Sequence, residues 1–301
     1  MDTLVQLIPL DNSLWTYLVI DFGIALALLL VLKWLKGALS KTSVTEELGV
    51  KDNIAFGISL AGGMLGLCIV LSAVVGRHIG MGYTKAAIGM LVFGAVGISL
   101  LKVGQFIHDK LVLDRVDTDA LIEKRSLSVA LVDAASTVAS AIVLRNIMMW
   151  VDGSDMNAII AITSGYLVVL TMLLMMTRLR EVRYAKDNQN GSFQGALRKG
   201  NMALALEHTG SLLGTAIIVS TAQSLLVYSP DGYVSNVTGW LVVSVVMAVG
   251  LHTLVTISKR ILLLGMSVKQ EVDHQHNIGV ASVGFVLSVG LALVVSGVLS
   301  H

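Results

Sequence analysis

The stretch Asn53-Ile54-Ala55-Phe56-Gly57, running on through Gly62 to Gly66, returns as Asn201-Met202-Ala203-Leu204-Ala205, running on through Gly210 to Gly214. Two fainter copies begin at Ser126 and Asn277, so four starts are separated by 73, 75 and 76 residues. With each start as position zero, position two reads Ala55, Ser128, Ala203 and Gly279, and position thirteen reads Gly66, Ala139, Gly214 and Gly290. A period of this length marks a repeat architecture in which one supersecondary unit is copied. The 301-residue chain reads as a doubled four-helix unit, itself a doubled helix pair, dividing at the turn Asp152-Gly153-Ser154-Asp155 into halves 1–152 and 153–301.

Composition sets the solvent. With 55% hydrophobic residues, 14% charged residues and a mean hydropathy of +0.81, the chain has too little polar surface to face water as a soluble domain. Apolar stretches near 14–35, 52–75, 83–105, 127–150, 157–177, 201–227, 239–258 and 277–299 each approach the roughly 20 residues needed to cross a bilayer. The expected fold is an all-α membrane protein of eight transmembrane helices, arranged as four parallel-oriented helix pairs in two pseudo-symmetric halves. Of the 21 Lys and Arg, 18 fall on one side, in or beside the connections after spans one, three, five and seven. Positive charge marks the cytoplasmic face, which predicts extracytoplasmic termini and cytoplasmic long connections. The first 13 residues carry Asp2 and Asp11 but no cation, unlike a cleavable signal, so span one is expected to be retained as an anchor.

Small residues recur on two faces of each even-numbered span. At about 100° per residue, positions two, nine and thirteen cluster near 200°, while positions zero and four lie near 0–40°. In lipid such faces allow close backbone approach, which assigns helix-packing roles to Gly62, Gly66, Gly210, Gly214 and Gly290 and expects the even spans at the centre of the bundle, ringed by the odd ones. Asn53, Asn201 and Asn277 stand where each even span begins and are expected to cap the first turn; a ring of amides around a vestibule is the alternative. The 178–200 connection, with Lys186-Asp-Asn-Gln-Asn190-Gly191-Ser192, reads as a flexible connector.

Ionisable groups inside spans are costly, at least about 2.5–3.5 kcal/mol at mid-helix, and mark the candidate chemistry. Lys102, Asp133, Glu207, His208 and His252 fall at similar depth near the basic side and form a candidate acid–histidine layer; Asp21 and Arg145 near the other side form a candidate ion pair. Glu207 is expected to tolerate replacement by Gln, since the amide keeps shape and hydrogen bonding while losing titration. No His-Glu-x-x-His, Gly-x-Ser-x-Gly or phosphate-binding glycine loop is present, so no catalytic residue, cofactor or enzymatic activity is assigned. Asp273-His274-Gln275-His276 has two imidazoles without a third ligand and reads as a polar turn, with no metal assigned. The single cysteine, Cys68, excludes an intramolecular disulfide. A net charge of +1 without a basic soluble domain argues against nucleic acid.

An acidic residue, then Asn-x-Ala-x-Ala/Gly, then Gly-x-x-x-Gly, as in Glu47…Asn53…Gly62…Gly66 and in Asn201…Gly210…Gly214, resembles the bacterial inner-membrane family called domain of unknown function 350. The fourth repeat keeps Glu271, Asn277 and Gly290; the second departs most. The resemblance implies tandem two-helix modules with no established activity, and a gene neighbourhood of phage-shock-type membrane-remodelling proteins. The expected partners are therefore the lipid bilayer and a peripheral cytoplasmic protein of that type, with a homo-oligomer also allowed. Two function classes follow: a non-enzymatic scaffold or envelope-stress component, and, as runner-up, a channel or proton-coupled carrier using the acid–histidine layer.

Overall fold

The computed structural model describes residues 11–300; the cation-free stretch 1–13, on which the expected retention of span one rests, falls mostly outside that range. Eight helices are long and apolar enough to cross a membrane. They are α1 (Asn12–Ser40), α2 (Ile54–His78), α3 (Tyr83–Ile107), α5 (Leu127–Trp150), α6 (Met156–Asp187), α8 (Met202–Ser220), α10 (Tyr233–Leu262) and α11 (Ile278–Leu299). Three short helices complete the set: α4 (Thr118–Glu123) and α7 (Phe193–Arg198) on the basic face, and α9 (Ala222–Leu225), which extends α8 beyond a break at Thr221. The protein is a polytopic, all-helical membrane protein built from four helix pairs.

Each even span starts in the same way. The residue before position zero has a left-handed backbone in all four repeats: Asp52 (φ 49°), Arg125 (φ 66°), Gly200 (φ 88°) and His276 (φ 54°). Only one of these is glycine, although this region costs other residues roughly 1 kcal/mol or more. The turn aims the asparagine side chain back at the helix it precedes. Asn53 Oδ1 accepts from Phe56 N at 3.1 Å, Asn201 Oδ1 from Leu204 N at 3.0 Å and Asn277 Oδ1 from Val280 N at 3.1 Å. Each bond satisfies one amide left over by the first turn. Ser126 caps nothing with its side chain and instead lies 3.3 Å from the Ser128 hydroxyl.

The even spans α2, α5, α8 and α11 form a row, each packed on the next. Glycine makes the row tight. A Cβ on Gly62 would stand 2.5 Å from Ala134 Cβ, and one on Gly210 2.5 Å from Phe285 Cα. One on Gly214 would run into the Ser288 carbonyl, whereas Gly66 has ordinary room, 3.4 Å to Ala141 Cβ and Thr137 Cγ2.

Two expectations need correction. The even spans do not form a closed centre: α11, at the end of the row, is mostly open, and Gly290 touches nothing within 4 Å. Among the odd spans, α1 and α10 are outer helices, but α3 buries Met90, Phe93 and Leu101, and α6 buries Tyr166, Val169 and Leu173, in the grooves between row members. A row of four has two ends, and its grooves must be filled by something bulky. The 178–200 segment is also not a loose connector. Helix α6 continues through it to Asp187, and Phe193, Gln194 and Leu197 of α7 are buried.

Candidate functional site

Both rims are stitched by side chains reaching from one repeat to a carbonyl of the next. On the basic face, Asn53 Nδ2 donates to Ile122 O (3.1 Å), Ser128 Oγ to Leu197 O (2.7 Å) and Asn201 Nδ2 to Val272 O (3.4 Å). These bonds run from repeat one to two, two to three and three to four. On the opposite face, Arg77 donates to the carbonyls of Met148, Val151 and Gly153, and Trp150 Nε1 to Leu226 O at 2.7 Å. Arg77 and Trp150 both occupy position twenty-four of their repeats. Each such bond occupies a carbonyl near a helix end, where the partner otherwise is water.

The basic rim also holds two acid–amide clasps. Glu47 Oε2 accepts from Asn53 Nδ2 at 2.8 Å, and Glu271 Oε2 from Asn277 Nδ2 at 2.8 Å. The acids sit on single π-helical turns, Glu46–Val50 and Gln270–His274. Hydrogen bonds from Lys51 and Asn53 hold the Glu47 carboxyl below the usual range. Asp273 is pushed up by burial, against a hydrogen bond from Asn188. Asp114 is held down by the Gln194 amide, which also donates to Val112 O and Glu181 Oε1 and so ties α7 to the end of α3 and to α6.

The acid–histidine layer divides into two clusters, one per half. In the first, Asp133 accepts from Ser59 Oγ (2.5 Å) and Gln105 Nε2 (2.8 Å), while Gln105 Oε1 accepts from Lys102 Nζ (3.0 Å). In the second, Glu207 Oε1 lies 2.8 Å from Lys259 Nζ and 3.3 Å from an Arg180 guanidinium nitrogen. The clusters are equivalent with their walls exchanged. Ser59 and Glu207 share position six of repeats one and three, and Asp133 and Gly284 share position seven of repeats two and four. A Cβ on Gly284 would stand 3.4 Å from Glu207 Cγ. Each tight helix pair thus holds one carboxylate at the same place, supplied from opposite sides, and each carboxylate is neutralised or hydrogen-bonded, as a buried charge requires.

His208 does not join Asp133. Its ring is buried edge-on against Phe193, with centroids 5.1 Å apart, and neither nitrogen is bonded; the same holds for the buried His108. His252 lies half-exposed against Arg183. The Asp21–Arg145 pair does not form either: Arg145 Nε donates to Ser72 Oγ at 3.0 Å, and Asp21 has no ion-pair partner among the described residues. Equal depth is not proximity: α1 packs on α3 and α2, whereas α5 packs chiefly on α2 and α8.

Sequence reasoning missed Lys259, Arg180, Gln105 and Ser59. By charge count the first two belong with the cations of the connections, yet both lie on long helices, Arg180 on α6 and Lys259 on α10. The signal for Ser59 was present, since it shares a repeat position with Glu207. Lys36, buried and 3.0 Å from Asp119, is a further ion pair between α1 and α4. His274 and His276 belong to no group of three potential metal ligands among the described residues.

No curated protein and no solved structure matches the chain. A family model described as Domain of Unknown Function (DUF350) matches residues 7–148 and again 154–299, nearly the whole length in two tandem copies. The chain belongs to that family.

Proposed function

We propose that the protein is a non-enzymatic scaffold of the bacterial inner membrane, with both termini outside and the basic rim presented to a peripheral cytoplasmic partner. The observation that carries this reading is the seam of the row. Gly62, Gly210 and Gly214 bring neighbouring backbones into contact where a conduit between even spans would run, and the intramembrane carboxylates are engaged by neighbouring side chains. The rim is a built surface, since α4, α7 and the two π-helical turns are fixed to the spans by buried side chains and side-chain-to-carbonyl bonds. Its exposed cations, among them Lys124, Arg198 and Lys199, suit an acidic protein surface. The charge asymmetry supports the orientation, and the family resemblance favours a phage-shock-type protein as the partner.

A proton-coupled carrier is the second reading, favoured by His208 and His108, whose buried rings leave all four nitrogens unbonded. Purified protein in liposomes, assayed for proton and potassium flux, separates the two. The scaffold reading expects flux no higher than in empty liposomes, and co-purifying peripheral proteins that are lost when Lys124, Arg198 and Lys199 are all changed to Glu. Proton flux abolished by His208→Gln would replace it with the carrier.

A further inference from the structure

The repeats pack by one rule, and the rule leaves both ends of the row unfinished. Position thirteen of one repeat falls on positions eleven and fifteen of the next: Gly66 on Thr137 and Ala141, and Gly214 on Ser288. Position nine falls on position eight, as Gly62 on Ala134 and Gly210 on Phe285. The outgoing face of repeat two is closed, with Ala135, Ala139, Val143 and Ile147 all buried on a helix that packs on α8 and α6. Its counterparts in repeat four are open. Val286 is 62% exposed, Val294 63% and Val298 69%, and Gly290 meets nothing.

The incoming face shows the complementary gap. In repeat three, Thr209, Ala216 and Ser220 are buried. Of the matching residues of repeat one, Ser72 is engaged by Arg145 of α5, but Ala61 and Cys68 are exposed on α2, beside exposed Leu65. The rim repeats the pattern. The side-chain Nδ2 of Asn53 and of Asn201 each reaches a carbonyl four or five residues before the next start, but Asn277 Nδ2 bonds, among the described residues, only Glu271 of its own repeat. The corresponding acceptor region of repeat one, Leu48 and Gly49, lies on an exposed turn. The flanking helix fits too: α6 packs on α5 as well as on α8, and its equivalent α1 has a bare apolar face carrying Leu18, Val19 and Phe22.

We propose that the protein assembles head to tail in the membrane, α11 of one copy docking on α2 of the next as α5 docks on α8 within a chain. The partner is therefore a second copy of this chain. The contact is heterologous, so it propagates a row and does not stop at a dimer. In lipid, where apolar burial alone gives no drive, small residues on the two open faces, Gly290 on α11 and Ala61 and Cys68 on α2, allow the close backbone approach that holds membrane helices together. The inference goes beyond the scaffold reading and does not depend on any cytoplasmic partner.

The native cysteine provides the test. Position thirteen of repeat four is Gly290 and position fifteen of repeat one is Cys68, and the corresponding Cβ positions of Gly66 and Ala141 are 3.4 Å apart, close to the roughly 3.5–4.5 Å that a disulfide spans. Gly290→Cys in native membranes, treated with a mild oxidant, should give a ladder of dimers, trimers and higher species on a non-reducing gel. Cys68→Ser in the same chain should remove every species above the dimer. Absence of crosslinks, a product that stops at dimers, or a ladder that survives Cys68→Ser would each overturn the proposal. As a measurement without cysteine chemistry, wild-type protein taken out in native lipid particles should have a mass of several 31.9 kDa copies. Gly290→Phe, at a position where an added Cβ has no neighbour within 4 Å among the described residues, should reduce it to one copy; a wild-type protein of one copy would equally overturn the proposal.

Discussion

Glu47 Oε2 and Asn53 Nδ2 are 2.8 Å apart, and this bond fixes the entry turn of α2 by holding the amide whose other end caps Phe56 N. The carboxyl is held low by Lys51 and Asn53, so the ionised form is favoured in the folded state. A depressed folded value contributes stability above the unfolded value of 4.5, and that stability is lost as pH falls through the folded value. Glu47→Gln should therefore cost about 1–2 kcal/mol at neutral pH. Thermal unfolding midpoints of the two proteins should differ at pH 7, and the gap should shrink as pH is lowered below 4.5 and through the depressed folded value; a gap independent of pH would show that charge plays no part.

The glycines of the row divide by what surrounds them. Gly62→Ala and Gly210→Ala force a methyl into a neighbouring backbone and should each destabilise by about 1–3 kcal/mol. Gly66→Ala has ordinary van der Waals room and should be nearly neutral. Detergent-melting curves check the order, and equal effects at Gly62 and Gly66 would contradict the packing described.

Glu207 is not a lone titratable group. Removing its charge leaves Lys259 and Arg180 facing each other with side chains only 16% and 22% exposed. Glu207→Gln should accordingly lower stability by about 1–3 kcal/mol, between the cost of a surface pair and that of a fully buried one. Lys259→Met in the Gln background should recover part of the loss, a coupling that a double-mutant cycle measures directly. A silent Glu207→Gln would show that the ion pair is not formed.

Orientation has its own test, in a Cys68→Ser background. Single cysteines at Ser154 and Ser235 should react with an impermeant thiol reagent outside intact cells, and one at Ser192 should not. Labelling at 192 from outside would invert the assignment of the basic rim.

The spans, their pairing and the fourfold repeat were legible from residues alone, because each is a one-dimensional property: an apolar run of bilayer length, a period, a recurring asparagine before a small-residue face. The capping role of Asn53 followed from its position for the same reason. What only the tertiary structure decided is which side chains meet. Depth in the membrane placed Asp133 with His208 and Asp21 with Arg145, yet azimuth around each helix and the order of helices in the row sent Asp133 to Ser59 and Gln105, Arg145 to Ser72, and Glu207 to Lys259 and Arg180. Gly290 shows the same limit: it has the sequence position of a packing glycine but stands at the end of an open row, where the neighbour its repeat requires is absent from its own chain.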